Sequence, residues 1–163
     1  MKTLVGKLAV AGLFALGAGA ASAGVTVDYV ESDKFADLPF APWEREAVLR
    51  ELADHFTHLG KSLPPGYDLK VEITEIDLAG REYPNLRSGR ELRVLKGMAD
   101  WPMIELRYTL VNNGQVVDSG NARLQDMAYL DRISRFSDHD SLRYEKRMIE
   151  DWFNQTFVRK NPG

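Results

Sequence analysis

The 163-residue sequence contains no cysteine. Disulfide scaffolds, thiol nucleophiles, redox pairs and every cysteine metal site are excluded with it. A membrane-spanning run is missing too. The longest apolar candidate, Leu8 to Ala20, has 13 residues, against the roughly 20 that a spanning helix requires. Net positive charge is absent: 21 Lys and Arg face 24 Asp and Glu, for a formal −3. An acidic chain is a poor general binder of nucleic acid, and no nucleic-acid partner is expected. The G-x-S-x-G elbow, the H-E-x-x-H helix, the phosphate loop and the dinucleotide fingerprint do not occur. Those absences remove common enzyme signatures, not enzymes in general, and no cofactor is expected.

The short apolar run has a role of its own. Lys2 and Lys7 precede it, glycines at 12, 17 and 19 weaken it as a permanent helix, and Ala21-Ser22-Ala23 follows it. Positive n-region, apolar h-region and small-residue cleavage site make residues 1–23 a secretory signal peptide cut after Ala23. A membrane anchor or ordinary core helix is the alternative, disfavoured by length. With no cysteine after the signal, a lipid-anchored form is excluded. Removing 23 of 163 residues leaves 140 (24–163), and losing two lysines brings the net charge to −5. That length suffices for one domain with its own core. The style of the chain suits the periplasm of a Gram-negative bacterium, without a membrane anchor.

Along residues 24–163 the pattern alternates between periods of two and of 3.6. Val25, Val27 and Tyr29 share a face of a first strand. Pro42 opens a helix whose stripe is Val48, Leu49, Leu52, Phe56 and Leu59, with Gly60 placed as its C-cap. Leu69, Val71 and Ile73 mark a second strand. Ile76 and Leu78 then fall on the other parity, so a bulge near Thr74 or Glu75, or burial of both faces, is required. Ala79 to Arg90 reads as a polar loop and Leu92 to Leu95 as a possible short strand. Ile104, Leu106, Tyr108 and Leu110 line a third strand. Asn113-Gly114 calls for a tight type I′ turn, setting Leu110 opposite Val117 and Tyr108 opposite Ser119. A last helix spans about Ser141 to Val158, N-capped by Asp140. The expected architecture is α+β: a two-layer sandwich, mostly antiparallel sheet with two helices on one face, in the order β-α-β-β-β-α.

Three stretches carry a resemblance: Val71 to Arg81 (VEITEIDLAGR), Met103 to Tyr108 running into the Asn-Gly turn, and Leu142 to Lys146 (LRYEK) continuing to Asp151-Trp152-Phe153. Together they resemble an exported proteobacterial family catalogued as a domain of unknown function (number 3016), over nearly all of the chain after the signal. Ser141 stands where relatives often have proline. The resemblance implies no activity and assigns no catalytic residue.

Candidate sites come from the residues themselves. His55 and His58 lie three apart on the first helix, a spacing that lets two imidazoles share a metal, with His139 in Asp138-His139-Asp140 as a third ligand if the fold brings it near. Solvated helix histidines are the simpler reading. Glu72, Glu75 and Asp77 crowd the second strand, where a buried carboxylate can do acid/base work, though exposure is simpler. Arg81, Arg87, Arg90, Arg93 and Lys96, against only Glu82 and Glu91, form the one basic stretch, beside Tyr83. Such cations meet phosphate groups of lipid, lipopolysaccharide or nucleotide; a solvated face is the plainer account. Trp43 and Trp101 start elements and are expected to be partly buried. The expected function is a non-catalytic periplasmic binding or accessory module, holding an envelope protein or an anionic lipid or glycolipid by sheet edge, basic loop or aromatics. A small metal-dependent or carboxylate-based hydrolase is the alternative. The sequence does not give the oligomeric state.

Overall fold

A computed structural model describes residues 24–35, 37–85, 90–97 and 99–159. Residues 1–23, read from the sequence as a signal peptide, and Arg87 lie outside the described residues. In chain order the elements are β1 (Gly24–Tyr29), α1 (Pro42–Gly60), β2 (Tyr67–Asp77), β3 (Arg81–Asn85), β4 (Arg90–Val94), β5 (Met103–Asn112), β6 (Gln115–Gln125) and α2 (Arg143–Phe153). A π-helical turn, Asn154–Val158, extends α2.

The main sheet has the order β1-β2-β5-β6. β1 and β2 are parallel, joined across α1, and the other pairs are antiparallel. Its apolar face, from Val25 and Val27 through Leu69, Val71 and Ile73 to Ile104, Leu106 and Leu124, meets Leu52 and Phe56 of α1 and Met148, Ile149 and Phe153 of α2. Removing this surface from water is the main favourable contribution to folding. Both helices cover one face, so the chain is an α+β two-layer sandwich with the expected order of sheet strands and helices. The addition is β3, which pairs with β4 in a two-stranded hairpin inserted between β2 and β5; β3 lies where a polar loop is expected, and β4 overlaps the short strand expected at Leu92 to Leu95. β3 carries mostly polar residues, so no apolar period-two signal announces it.

Local geometry follows the sequence in several places. Pro42 occupies the first turn of α1. The β2–β5 register shifts between Ile73 and Glu75, which leaves Thr74 as the bulge and returns Ile76 to full burial. Asn113 (φ 48°) and Gly114 (φ 82°) are both left-handed, as a type I′ turn demands.

Other expectations change. β6 carries a second irregularity: Val111 opposes Val116, but Leu110 opposes Asp118 and Tyr108 opposes Gly120, making Val117 the extra residue. The slip places a glycine over the Tyr108 ring, where a Cβ would sit 3.2 Å from its atoms. Gly60 is the last helical residue and not a left-handed cap. Its role is close approach, since a Cβ there would lie 2.1 Å from Val25 Cγ2. α2 begins at Arg143, because Asp140 Oδ1 accepts from the Leu142 N–H (2.9 Å) and caps a preceding turn. Trp43 is exposed, not partly buried, while Trp101 packs by Ala79, Tyr129 and Tyr144.

Past β2 the chain reads Leu78-Ala79-Gly80, and three segments converge on its backbone. The Leu78 N–H donates to Asp37 Oδ2 (3.1 Å), the Ala79 N–H to Glu145 Oε1 (2.7 Å) and the Gly80 N–H to the Asp100 carbonyl (2.8 Å). Glu145 is 1% exposed and its Oε2 has no hydrogen-bond partner. Burial pushes this carboxyl above the usual range, against the pull of the Ala79 N–H and of Arg93. A raised folded-state value means that the native chain holds the proton longer than the unfolded chain does. The associated stability is full below about pH 4.3, the ordinary carboxyl value, and is lost as pH rises through the raised one. Glu145→Gln keeps an acceptor for Ala79 without the charge. We expect its urea-unfolding free energy to be flatter with pH above that value than wild type, and at least as high at neutral pH. Glu145→Ala strands the Ala79 N–H and opens a cavity, lowering stability by about 2–4 kcal/mol. Parallel pH profiles of wild type and Glu145→Gln would contradict this role.

Candidate functional site

β3 and β4 pair with each other and not with the main sheet, and an isolated two-stranded hairpin is marginal in water. Its two faces serve different ends. On the inner face Arg93 opposes Glu82. The Arg93 guanidinium donates to Asp37 Oδ2 (2.7 Å) and Glu82 Oε1 (2.9 Å), and leans on the carbonyls of Ala79 (3.4 Å) and Gly80 (3.5 Å). This cation is committed to holding the hairpin against the end of β2.

The outer face is open. Tyr83 and Leu92 are cross-strand neighbours, 40% and 54% exposed. The Lys96 ammonium donates to the Tyr83 hydroxyl (2.9 Å) and lies 5.0 Å from its ring centroid. Arg81, Tyr83, Lys96, Ala99 and Asp100 line a cavity of about 220 Å³. Asp100 does not compete for a ligand there. Burial works against its charge, but the Lys96 and Gly97 N–H groups and the Tyr129 hydroxyl all donate to it and hold it below the usual carboxylate range. The basic stretch therefore divides: Arg93 faces inward, Arg81 and Lys96 face out around Tyr83, and Arg90 opens β4 opposite Asn85.

The histidines lie elsewhere. His55 and His58 border a groove of about 570 Å³ between α1 and α2, closed on one side by Arg135 and Phe136. His55 Nε2 donates to the Lys146 carbonyl (2.9 Å) and its ring stands edge-on to Phe136. Glu150, the groove's carboxylate, is paired with Arg135. His139 is exposed in the loop before α2. Among the described residues no three His, Asp or Glu side chains come close enough together to hold a metal ion. Of the strand carboxylates, Glu72 pairs with Lys70 (3.1 Å) and Arg107 (3.4 Å) on the sheet's outer face, and Asp77 is exposed at the end of β2.

Two buried groups escape a reading by residue type alone. Glu145 stands three residues after Leu142 and four before Ile149, inside the apolar stripe of α2, and that spacing was a usable signal. Arg147 donates to Asp126 Oδ2, the Tyr129 carbonyl and the Arg132 carbonyl, each at 2.8 Å, and fastens the loop after β6 to α2. Nothing in the sequence pairs those positions.

Residues 23–155 match the pattern of a protein family of unknown function, DUF3016. The chain belongs to that family. No curated protein matches it. Among solved structures it is similar to a Xanthomonas campestris protein of family DUF330, at 15% identity and a TM-score of 0.37, covering 85% of this chain and 86% of that one. It is also similar to a Caulobacter crescentus CB15 protein described as a “putative lipoprotein”, at 15% identity and a TM-score of 0.30, covering 84% and 93%. No helix among the described residues is long and apolar enough to cross a membrane.

Burial lowers the His55 imidazole to about 4, against the pull of the Lys146 carbonyl. The fold thus holds it neutral, whereas the unfolded chain takes up its proton near pH 6.5. This contribution is complete above that value and is lost on acidification toward pH 4. His55→Gln, whose amide can still donate to the carbonyl, should lose less stability than wild type between pH 6.5 and 4 in chemical denaturation. An NMR titration midpoint for His55 near 6.5 would contradict the assignment.

Proposed function

We propose that this DUF3016 chain is an exported, non-catalytic binding or accessory module of the cell envelope, cleaved after Ala23 and released into the periplasm as residues 24–163. We further propose that the outer face of the β3–β4 hairpin holds the phosphate-bearing head group of an anionic lipid or glycolipid. The observation that carries the reading is the grouping of Arg81, Tyr83 and Lys96 around one small exposed cavity, in a chain whose net charge is negative.

The chemistry supports this in three ways. Cavities that enclose whole small molecules usually measure about 300–1,000 Å³, so 220 Å³ suits a head group and not a complete substrate. Arginine offers a planar fork that matches phosphate oxygens, and lysine a mobile point charge. Tyr83 and Leu92 add an amphipathic rim of the kind that sits at a lipid interface. The hydrolase reading rests on His55 and His58, but the Nε2 of His55 is engaged by a backbone carbonyl and Glu150 by Arg135, which favours the binding reading.

Two measurements test it. Osmotic-shock fluid from expressing cells should contain the chain beginning at Gly24 by mass spectrometry; a full-length chain retained in the cytoplasm would refute export. The purified chain should sediment with phosphatidylglycerol vesicles at low salt and not with phosphatidylcholine vesicles. Arg81→Glu with Lys96→Glu should weaken that retention by about tenfold or more, on the scale of 1 kcal/mol per basic residue near an anionic surface. Free inorganic phosphate that competes would locate the recognition in the head group. Retention unchanged by the double reversal would overturn the site.

A further inference from the structure

β6 is an edge strand. Among the described residues it pairs with β5 alone, so its other side presents unpaired backbone N–H and C=O groups. Natural proteins usually blunt such edges with bulges, prolines or charges. Here the bulge at Val117 and the charge of Asp118 guard only the first part of the strand. From Ser119 to Gln125 the register with β5 is unbroken, there is no proline, and Arg123 is the sole charge. The opposite edge, β1, is six residues against eleven.

The unguarded part of β6 also borders a groove. A cavity of about 250 Å³ runs between the end of β6 and α2, with Trp152 beside the polar side chains of Arg123, Asp126, Arg132, Asp151 and Gln155, and with Leu124 and Met148 buried at its base. That is below the size of a small-molecule site but large enough for one or two side chains of a neighbouring strand. A sheet edge flanked by a groove against a helix is the geometry by which an extended peptide is added as a new strand: main-chain bonds supply affinity, and the groove takes alternate side chains.

We propose that the Ser119–Gln125 edge of β6 receives an extended segment of another polypeptide as a fifth strand of the sheet. The cross-strand positions define that segment. Ala122 and Leu124 share the inner, core-facing parity, opposite Leu106 and Ile104, while Arg123 faces outward opposite Glu105. Arg123 already pairs loosely with Glu105 (3.7 Å, both side chains exposed) and can bridge to a second carboxylate across a new strand pair, so the incoming strand carries an acidic residue opposite Arg123, flanked by apolar residues, one of which packs beside Trp152. Self-pairing is a poorer match. Asp118 and Arg123 lie on opposite faces of β6, so an antiparallel pair of β6 strands from two copies brings no opposite charges together. This surface is independent of the head-group site.

The test uses two ten-residue synthetic peptides of alternating pattern, one centred on Val-Glu-Val and the other on Val-Lys-Val. They are titrated into the ¹⁵N-labelled chain 24–163 with Trp fluorescence followed in parallel. The Glu peptide should shift amides of Ser119–Gln125 and of Met148–Gln155 and change Trp152 emission, with the Lys peptide weaker by about fivefold. Arg123→Glu should invert that preference, and Gln155→Trp, which fills the groove, should weaken both peptides. Arg81→Glu should change neither. Absence of shifts at millimolar peptide, shifts confined to other elements, an Arg123→Glu variant with unaltered preference, or a sedimentation-measured dimer blocked by β6 substitutions would overturn the proposal.

Discussion

Three consecutive backbone N–H groups beyond β2 have no ladder partners, and the architecture is organised around satisfying them. A buried N–H left unpaired costs on the order of 1–3 kcal/mol, so each of Leu78, Ala79 and Gly80 demands an acceptor. The three acceptors come from three places: the loop before α1 (Asp37), α2 (Glu145) and the lead-in to β5 (Asp100). Gly80, at φ +87°, lets the chain turn back here, with Val94 O and the Leu95 side chain under 3 Å from where a Cβ would stand. Arg93 then closes over the same turn from β4. One short stretch thus fixes how both helices, the hairpin and the sheet meet. Two of the segments that carry the family resemblance, ending in DLAGR and containing LRYEK, touch each other here through Ala79 and Glu145. Their residue choice has a structural reason that needs no catalytic role.

The same economy governs the charges. Buried ions are tolerated where opposite charge and hydrogen-bond acceptors surround them. Arg147, buried, meets that condition with one carboxylate and two backbone carbonyls, and the partly buried Arg93 with two carboxylates and two carbonyls; each binds a loop to a regular element. They are fasteners. Charges on the sheet's outer face, such as Glu72 between Lys70 and Arg107, sit in water and contribute little to stability. The surface cations with a distinct setting are Arg81 and Lys96, placed around an aromatic ring by a hairpin that Arg93 holds in position. A structural arginine within the basic stretch thereby sets the position of its exposed neighbours.

The two proposed surfaces belong to different parts of the fold. The hairpin sits where β2 ends, while the β6 edge is the outermost strand of the main sheet, bordered by α2. They share no residue.

Periodicity made the sandwich legible. Alternating Val, Leu and Ile in β1, β2 and β5, the helical stripe of α1, Pro42 and Asn113-Gly114 each encode a local conformation, and local conformation is what neighbouring residues determine. Even the bulge at Thr74 followed from a parity that had to be restored. Strand β3 did not show, because Arg81, Glu82 and Asn85 stand where a buried strand carries apolar residues, while Leu92 to Leu95 marked β4. The Val117 slip depends on a tyrosine across the sheet, and the role of Gly60 on a valine in β1. For the candidate sites, composition marked the basic stretch but could not sort it. That Arg93 turns inward to Asp37, 56 residues away, while Lys96 turns out to Tyr83 is decided by which chain segments converge at the end of β2. The sequence by itself determined the elements of the main sandwich, their order and the residues able to carry charge; only the tertiary structure decided which charges are turned inward in service of the fold and which stay exposed, because pairing between distant segments has no local period.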